Sequence, residues 1–170
     1  MSSRLNWLLL AFLLSTLPFG INSANGATFK PYQIKAVYIF RIANFIKWDD
    51  ESEKQSLRFC VEGSNKVKEA LASIIQGKTI RALNLELLET SHPDDCDIIY
   101  LSASKYKQAT IYGEHSVTIS DHKGFVRKGG VIELQSKNNK IRPRINLNNA
   151  NLDDYTIGSS LLRIAIMEDK

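Results

Sequence analysis

The sequence predicts an α/β fold in a single compact domain: a mixed, mostly parallel sheet flanked by helices, with a C-terminal antiparallel hairpin. Three observations predict it. Short apolar runs rich in Val, Ile and Tyr alternate with segments of helical period through the first two-thirds of the chain, the pattern of strands joined by helical crossovers. Residues 131–147 then hold two strand-like runs around the polar stretch Ser136-Lys137-Asn138-Asn139-Lys140, which reads as a hairpin. Finally, 170 residues at 44% hydrophobic and 24% charged suit one core, and there are no internal repeats, low-complexity tracts or interdomain linkers.

The elements follow in order. Residues 30–48, KPYQIKAVYIFRIANFIKW, are the most apolar stretch after the N-terminus, and their polar breaks at Arg41, Asn44 and Lys47 lie three apart. That is one narrow polar stripe, so the spacing predicts a largely buried helix with Pro31 in its first turn. Leu57 to Glu62 reads as a strand, and Ser64 or Asn65 as the cap of a helix carrying Val67, Ala70, Leu71, Ile74 and Ile75 and ended by Gly77. Ile80 to Leu88 reads as a second strand. Cys96 to Leu101 is a third, central one, because its run is apolar on both faces. Tyr106 to Tyr112 follows as a short helix and Ser116 to Ile119 as a short strand. Asp121-His122-Lys123-Gly124 is turn chemistry ahead of the hairpin. A last helix, capped by Asp153 or Asp154, places Ile157, Leu161, Ile164 and Ala165 on one side.

Residues 1–26 are read as a secretory signal peptide, leaving 27–170 as the domain. Arg4 is the only charge before an apolar run from Trp7 to Phe19, and small residues Ser23 to Ala27 follow. The run is shorter than the roughly 20 residues that span a bilayer, although an uncleaved anchor stays open. Cleavage falls after Gly26, or alternatively after Ala24. No cysteine follows the run, which excludes a lipoprotein anchor. Removal takes away Arg4 and no acid, so 21 cations face 18 anions. A balance of +3 is mild for a nucleic-acid binder, and export removes the chain from nucleic acid as a partner.

No residue set reads as catalytic, metal-binding or cofactor-binding. His92, His115 and His122 share no i, i+4 interval, and Ser120-Asp121-His122 are adjacent positions that do not converge as a hydrolase triad. Gly124 to Gly130, GFVRKGG, lacks the Gly-Lys-Ser/Thr ending of a phosphate loop and reads as the turn feeding the hairpin. Cys60 and Cys96, 36 positions apart, have no Cys-x-x-Cys spacing. In an exported chain they read as a structural disulfide worth roughly 4 kcal/mol by loop closure, against a redox pair or two separate thiols. Arg142 and Arg144 lie two apart on a strand and so share one face. With Arg41 they form a candidate anion site, against the plainer reading of a basic edge that discourages aggregation. Phe45, Trp48 and Met167 are candidate partner contacts if exposed, although Phe45 reads better as core.

The helix KAVYIFRIANFIKW resembles the opening signature of the YfiR-like periplasmic proteins, an aromatic-rich helix ending in Trp. FCVEGSNKVKEAL, CDIIYLS and SDHKGFVRKGGVIELQSKNNKIRPRINLNNANLDDYTIGSSLLRIA fit the same pattern in order, so the resemblance covers nearly all of residues 32–166. It implies a compact α/β periplasmic domain that dimerises and represses a membrane-bound diguanylate cyclase by engaging its periplasmic sensor region. The resemblance further implies that repression lowers cyclic di-GMP and biofilm growth, and that an outer-membrane lipoprotein partner can sequester the repressor. Cys60 and Cys96 match the first cysteine pair of that family. Some members carry a second pair in the C-terminal half, which this chain lacks. Pro143 stands where a Phe is common, and it confines its strand to an edge or bulge. The competing reading is a periplasmic sensor of a small anionic ligand.

Overall fold

Pro31 opens the first helix, α1 (Pro31–Ala43), with its fixed φ and missing amide in the turn where neither costs a hydrogen bond. In this computed structural model, which describes residues 29–89, 92, 95–112, 115–137 and 140–168, α1 stops well short of the expected end. Its buried stripe is Ala36, Ile39, Ile42 and Ala43. Beyond Asn44 the chain extends into β1 (Ile46–Trp48), which pairs antiparallel with β9 (Tyr155–Ile157), Trp48 opposite Tyr155. The helix predicted to run to Trp48 is corrected accordingly. A polar break every third residue fits a helix, but Ile46-Lys47-Trp48 also alternates buried, exposed, buried, and a strand partner about 110 residues away decides between the two. The segment read as a leader lies outside the described residues.

The main sheet has eight strands in the order β10-β8-β7-β6-β5-β2-β4-β3. Its parallel centre is β4 (Leu83–Leu87), β2 (Ser56–Glu62), β5 (Ile98–Leu101), β6 (Val117–Ser120) and β7 (Ile132–Lys137). β8 (Lys140–Ile145) turns back antiparallel on β7 as the expected hairpin, and the two-residue β10 (Ile166–Met167) lies parallel to β8 at the edge. All four residues of β5 are buried, in keeping with its central reading.

The strand expected over 80–88 is instead a hairpin, β3 (Thr79–Ile80) against β4, turning at Arg81 and Ala82 with φ of 50° and 83°. Left-handed backbone at two non-glycine residues costs of order 1 kcal/mol each. Tertiary contacts offset it. The Arg81 guanidinium donates to both oxygens of Glu51 and to the Ile46 carbonyl at 2.7 Å, tying the turn to β1. The same bonds hold the Glu51 carboxyl below its ordinary value.

Alternation along the strands divides the core. Phe59, Val61, Ile98, Tyr100, Ile119, Ile132 and Ile145 point to the face covered by α1 and by α2 (Asn65–Ile75), whose N-cap Ser64 accepts from the Val67 amide. Cys60, Ile99, Leu101 and Phe125 point to the other face, under α3 (Ala109–Tyr112) and the 3-10 turn Phe125–Lys128. The last helix, α4 (Ser159–Ile164), is capped by Gly158 rather than by an aspartate. Ile157 belongs to β9 and Ile164 is exposed, so the predicted four-residue stripe reduces to Leu161 and Ala165 in the core. Among the described residues no helix is long and apolar enough to cross a membrane.

Candidate functional site

The hairpin strand β8 sets the site. Ile145 packs into the core beneath α1, so Arg142 and Arg144, at alternate positions, face the opposite side of the sheet. β10 covers only Arg144 and Ile145, which leaves the outer flank of β8 open at Pro143, where there is no amide to satisfy. Glu168, just past β10, sits between two guanidinium groups. One oxygen is taken by Arg127 Nε and the other by Arg144 Nη1. Arg142 Nε donates to the Ile164 carbonyl at 3.2 Å, tying the end of α4 to the strand. Arg142 and Arg144 therefore share one face, but the carboxylate of Glu168 is held between Arg144 and Arg127, and Arg142 is turned to a backbone carbonyl.

Arg41 does not join them. It is exposed on α1, on the other face of the sheet. A three-arginine anion site is not formed, because helix and strand position carry no information about which face of a sheet each will occupy. Trp48 is not a surface contact either. It is 3% exposed, packs at 6.4 Å from the Tyr155 ring, and its indole N–H has no acceptor among the described residues. Phe45 reverses its expected role: it is partly exposed, because its carbonyl accepts from Gly158 at 2.7 Å and seats it at the start of α4.

What sequence reasoning missed is the company of the arginines. Ile164 is 56% and Met167 37% exposed on the same edge. Met167 is in register with Ile145 and so projects to the face opposite Arg144, but arginine and methionine along one exposed edge are residue types enriched at protein interfaces. Spacing alone gave no sign of it, since Ile164 fits a buried helical stripe equally well.

The disulfide Cys60–Cys96 is formed, with Cα atoms 5.8 Å apart, linking β2 to the start of β5. Beside it lies a cleft of about 420 Å³ whose wall includes Trp48, Asp49, Asp97, Asp153 and Asp154. Asp97, 3% exposed, accepts from the Arg58 amide at 2.7 Å and from Lys54 Nζ at 3.0 Å. Burial works against the Lys54 ammonium, but its hydrogen bonds to Asp97 and Asp50 outweigh that and hold it above its ordinary value. Among the described residues, no three histidine, cysteine or carboxylate side chains converge as a metal site.

Acid should loosen the arginine edge. Hydrogen bonds from Arg127 and then Arg144 hold the Glu168 carboxyl below its ordinary value. A depressed carboxylate stabilises the fold fully above its unfolded value, about 4.3, and that contribution is lost as pH falls through the folded one. Protection of the Glu168 amide, bonded to the Ile145 carbonyl and measured relative to its intrinsic exchange rate, is therefore expected to fall below about pH 4.3 in the wild type. In Glu168→Gln the protection of the residue 168 amide should already be low at neutral pH and change little on acidification. Identical pH profiles for the two would refute the assignment.

A sequence model of the YfiR/HmsC-like family matches residues 32–166. No curated protein matches the chain.

Proposed function

The chain belongs to the YfiR/HmsC-like family, and from that membership we propose that it is a non-enzymatic periplasmic repressor of an inner-membrane diguanylate cyclase. The family is one of periplasmic regulators of such cyclases. The observation that carries the proposal is the extent of the match, which takes in the main sheet up to the first residue of its edge strand β10 rather than a local motif. The Cys60–Cys96 bridge suits an oxidising compartment. The edge of Arg142, Arg144, Ile164 and Met167 is the contact we assign to the periplasmic sensor region of the cyclase. Binding there lowers cyclic di-GMP. In the same reading the protein forms a homodimer, and an outer-membrane lipoprotein sequesters it. An anionic ligand at the arginines would have to compete with Glu168 for Arg144, which weighs against the small-molecule sensor.

In-cell crosslinking of the tagged protein, capture from solubilised membranes and mass spectrometry test this directly. The expected product is an inner-membrane protein with a cyclase domain, lost when Ile164→Glu and Met167→Glu are combined. Cellular cyclic di-GMP should rise on deletion of the protein and stay high with that variant. Capture that returns no inner-membrane protein, or cyclic di-GMP unchanged by deletion, refutes the repressor reading.

A further inference from the structure

A net charge of +4 understates how the charge is arranged. The parallel strands β2, β5 and β6 all end at one pole of the sheet and begin at the other. At the pole where they end, exposed Lys66, Lys105 and Lys123 follow β2, β5 and β6 in turn, with Lys107 two residues past Lys105. β7 pairs with β6 only at Ile132 and Glu133, so the rest of the hairpin runs past β6 and carries exposed Lys140 to the same pole. Lys30 stands there too, at the start of α1, whose Lys35 is paired with Asp121 just past β6. The described carboxylates of this pole are Glu62, Glu89, Asp121 and Glu133; Glu89 and Asp121 are already paired, with Lys68 and Lys35, and Glu133 is buried and accepts from the Gly124 amide. Both α1 and α2 begin at this pole, adding the positive ends of their dipoles. The opposite pole is acidic. Asp49, Asp50, Asp97, Asp153 and Asp154 share the cleft there with Lys54, Arg58 and His115.

Two features say what the basic pole fits. Among the described residues, its six exposed cations are all lysines, compact hydrated point charges without the fork that recognises one carboxylate, and these suit a diffuse negative surface. In addition Phe29, 65% exposed, stands beside Lys30 and lines a groove with Pro31, Ile34 and Ile141. An exposed aromatic ring set among lysines is the arrangement of segments that lie in a bilayer interface. We propose that this pole rests on an anionic phospholipid bilayer, with the lysines over the headgroups and Phe29 at the acyl boundary. The strands then stand along the membrane normal, the acidic cleft faces away, and the β8–β10 edge is presented sideways. The inference stands independently of the repressor reading, since it concerns lipid alone.

The test is flotation of the protein, recovered from periplasmic extract, with vesicles of phosphatidylcholine or of its equimolar mixture with phosphatidylglycerol. Binding is expected only to the mixture, and should be abolished when salt shortens the Debye length to about 3 Å. Each lysine near an anionic surface gives about fivefold in affinity, from ~1 kcal/mol. Changing Lys66, Lys105, Lys107 and Lys123 to Gln together should therefore weaken binding several-hundred-fold, with circular dichroism confirming the fold. Phe29→Ser alone should weaken it measurably, while Asp153→Asn with Asp154→Asn should not. Absence of binding to the anionic vesicles overturns the proposal, as does binding indifferent to the four lysines. Capture on an immobilised acidic polypeptide without vesicle binding would overturn it in favour of an acidic protein partner.

Discussion

Replacing Cys60 and Cys96 together with alanine is expected to lower stability by roughly 4 kcal/mol, the loop-closure value for residues 36 apart. For a chain of this size that is a fall in Tm of about 8–16 °C. Alanine is the right replacement because both positions are almost fully buried, and serine would add an unsatisfied hydroxyl. The size of the effect follows from what the bridge spans. β4 lies on one side of β2 and β5 on the other, so the chain from Leu87 to Ile98 must pass across β2 before β5 can pair. Joining Cys60 to Cys96 closes that excursion in the unfolded chain as well, and removes much of its entropy. Scanning calorimetry of the wild type with and without reductant, beside the double variant, checks it. A wild type indifferent to reductant, or a variant melting within a degree or two of it, would show that the bridge contributes nothing.

Asp97→Ala is expected to cost about 3 kcal/mol, near the lower limit for removing one partner of a buried ion pair. The carboxylate is 3% exposed and answers the Arg58 amide, the Arg58 side chain and Lys54. The higher end of the range does not apply, because Arg58 is a third exposed and Lys54 keeps Asp50 at 3.1 Å. Asp97→Asn, which still accepts from the Arg58 amide, should fall between alanine and wild type. Asp97 and the disulfide fasten the same point, the start of β5 against β2, so their losses should not add. Chemical denaturation of the single, double and combined variants measures this. Full additivity would mean that the two restraints act on separate parts of the fold.

Much of this fold was legible because its signals are local. Ser64 caps α2 where a serine before a helical stripe should, and the hairpin of β7 and β8 follows from two alternating runs around a polar turn. The central place of β5 follows from a strand apolar on both faces, which only a sheet covered on both sides can bury. The misreadings share one cause, a deciding partner far along the chain. Ile46-Lys47-Trp48 is a strand because Tyr155–Ile157 lies beside it, and Arg81-Ala82 can hold left-handed backbone because Glu51 and Ile46 are within reach of one guanidinium.

For the candidate site the division is similar. Residue types and spacing announced an arginine pair on one strand face, a cysteine pair and a family signature, because each depends on the chain's own order. Which groups share a surface depends on how the sheet is covered. Tertiary structure set Arg41 apart from Arg142 and Arg144, put Glu168 between Arg127 and Arg144, buried Trp48 and exposed Ile164. It also gathered exposed lysines, interspersed with aspartates along the chain, at one pole and five aspartates at the cleft of the other. Parallel strands collect every connection that follows a strand at one end and every connection that precedes one at the other, and no count along the sequence carries that information.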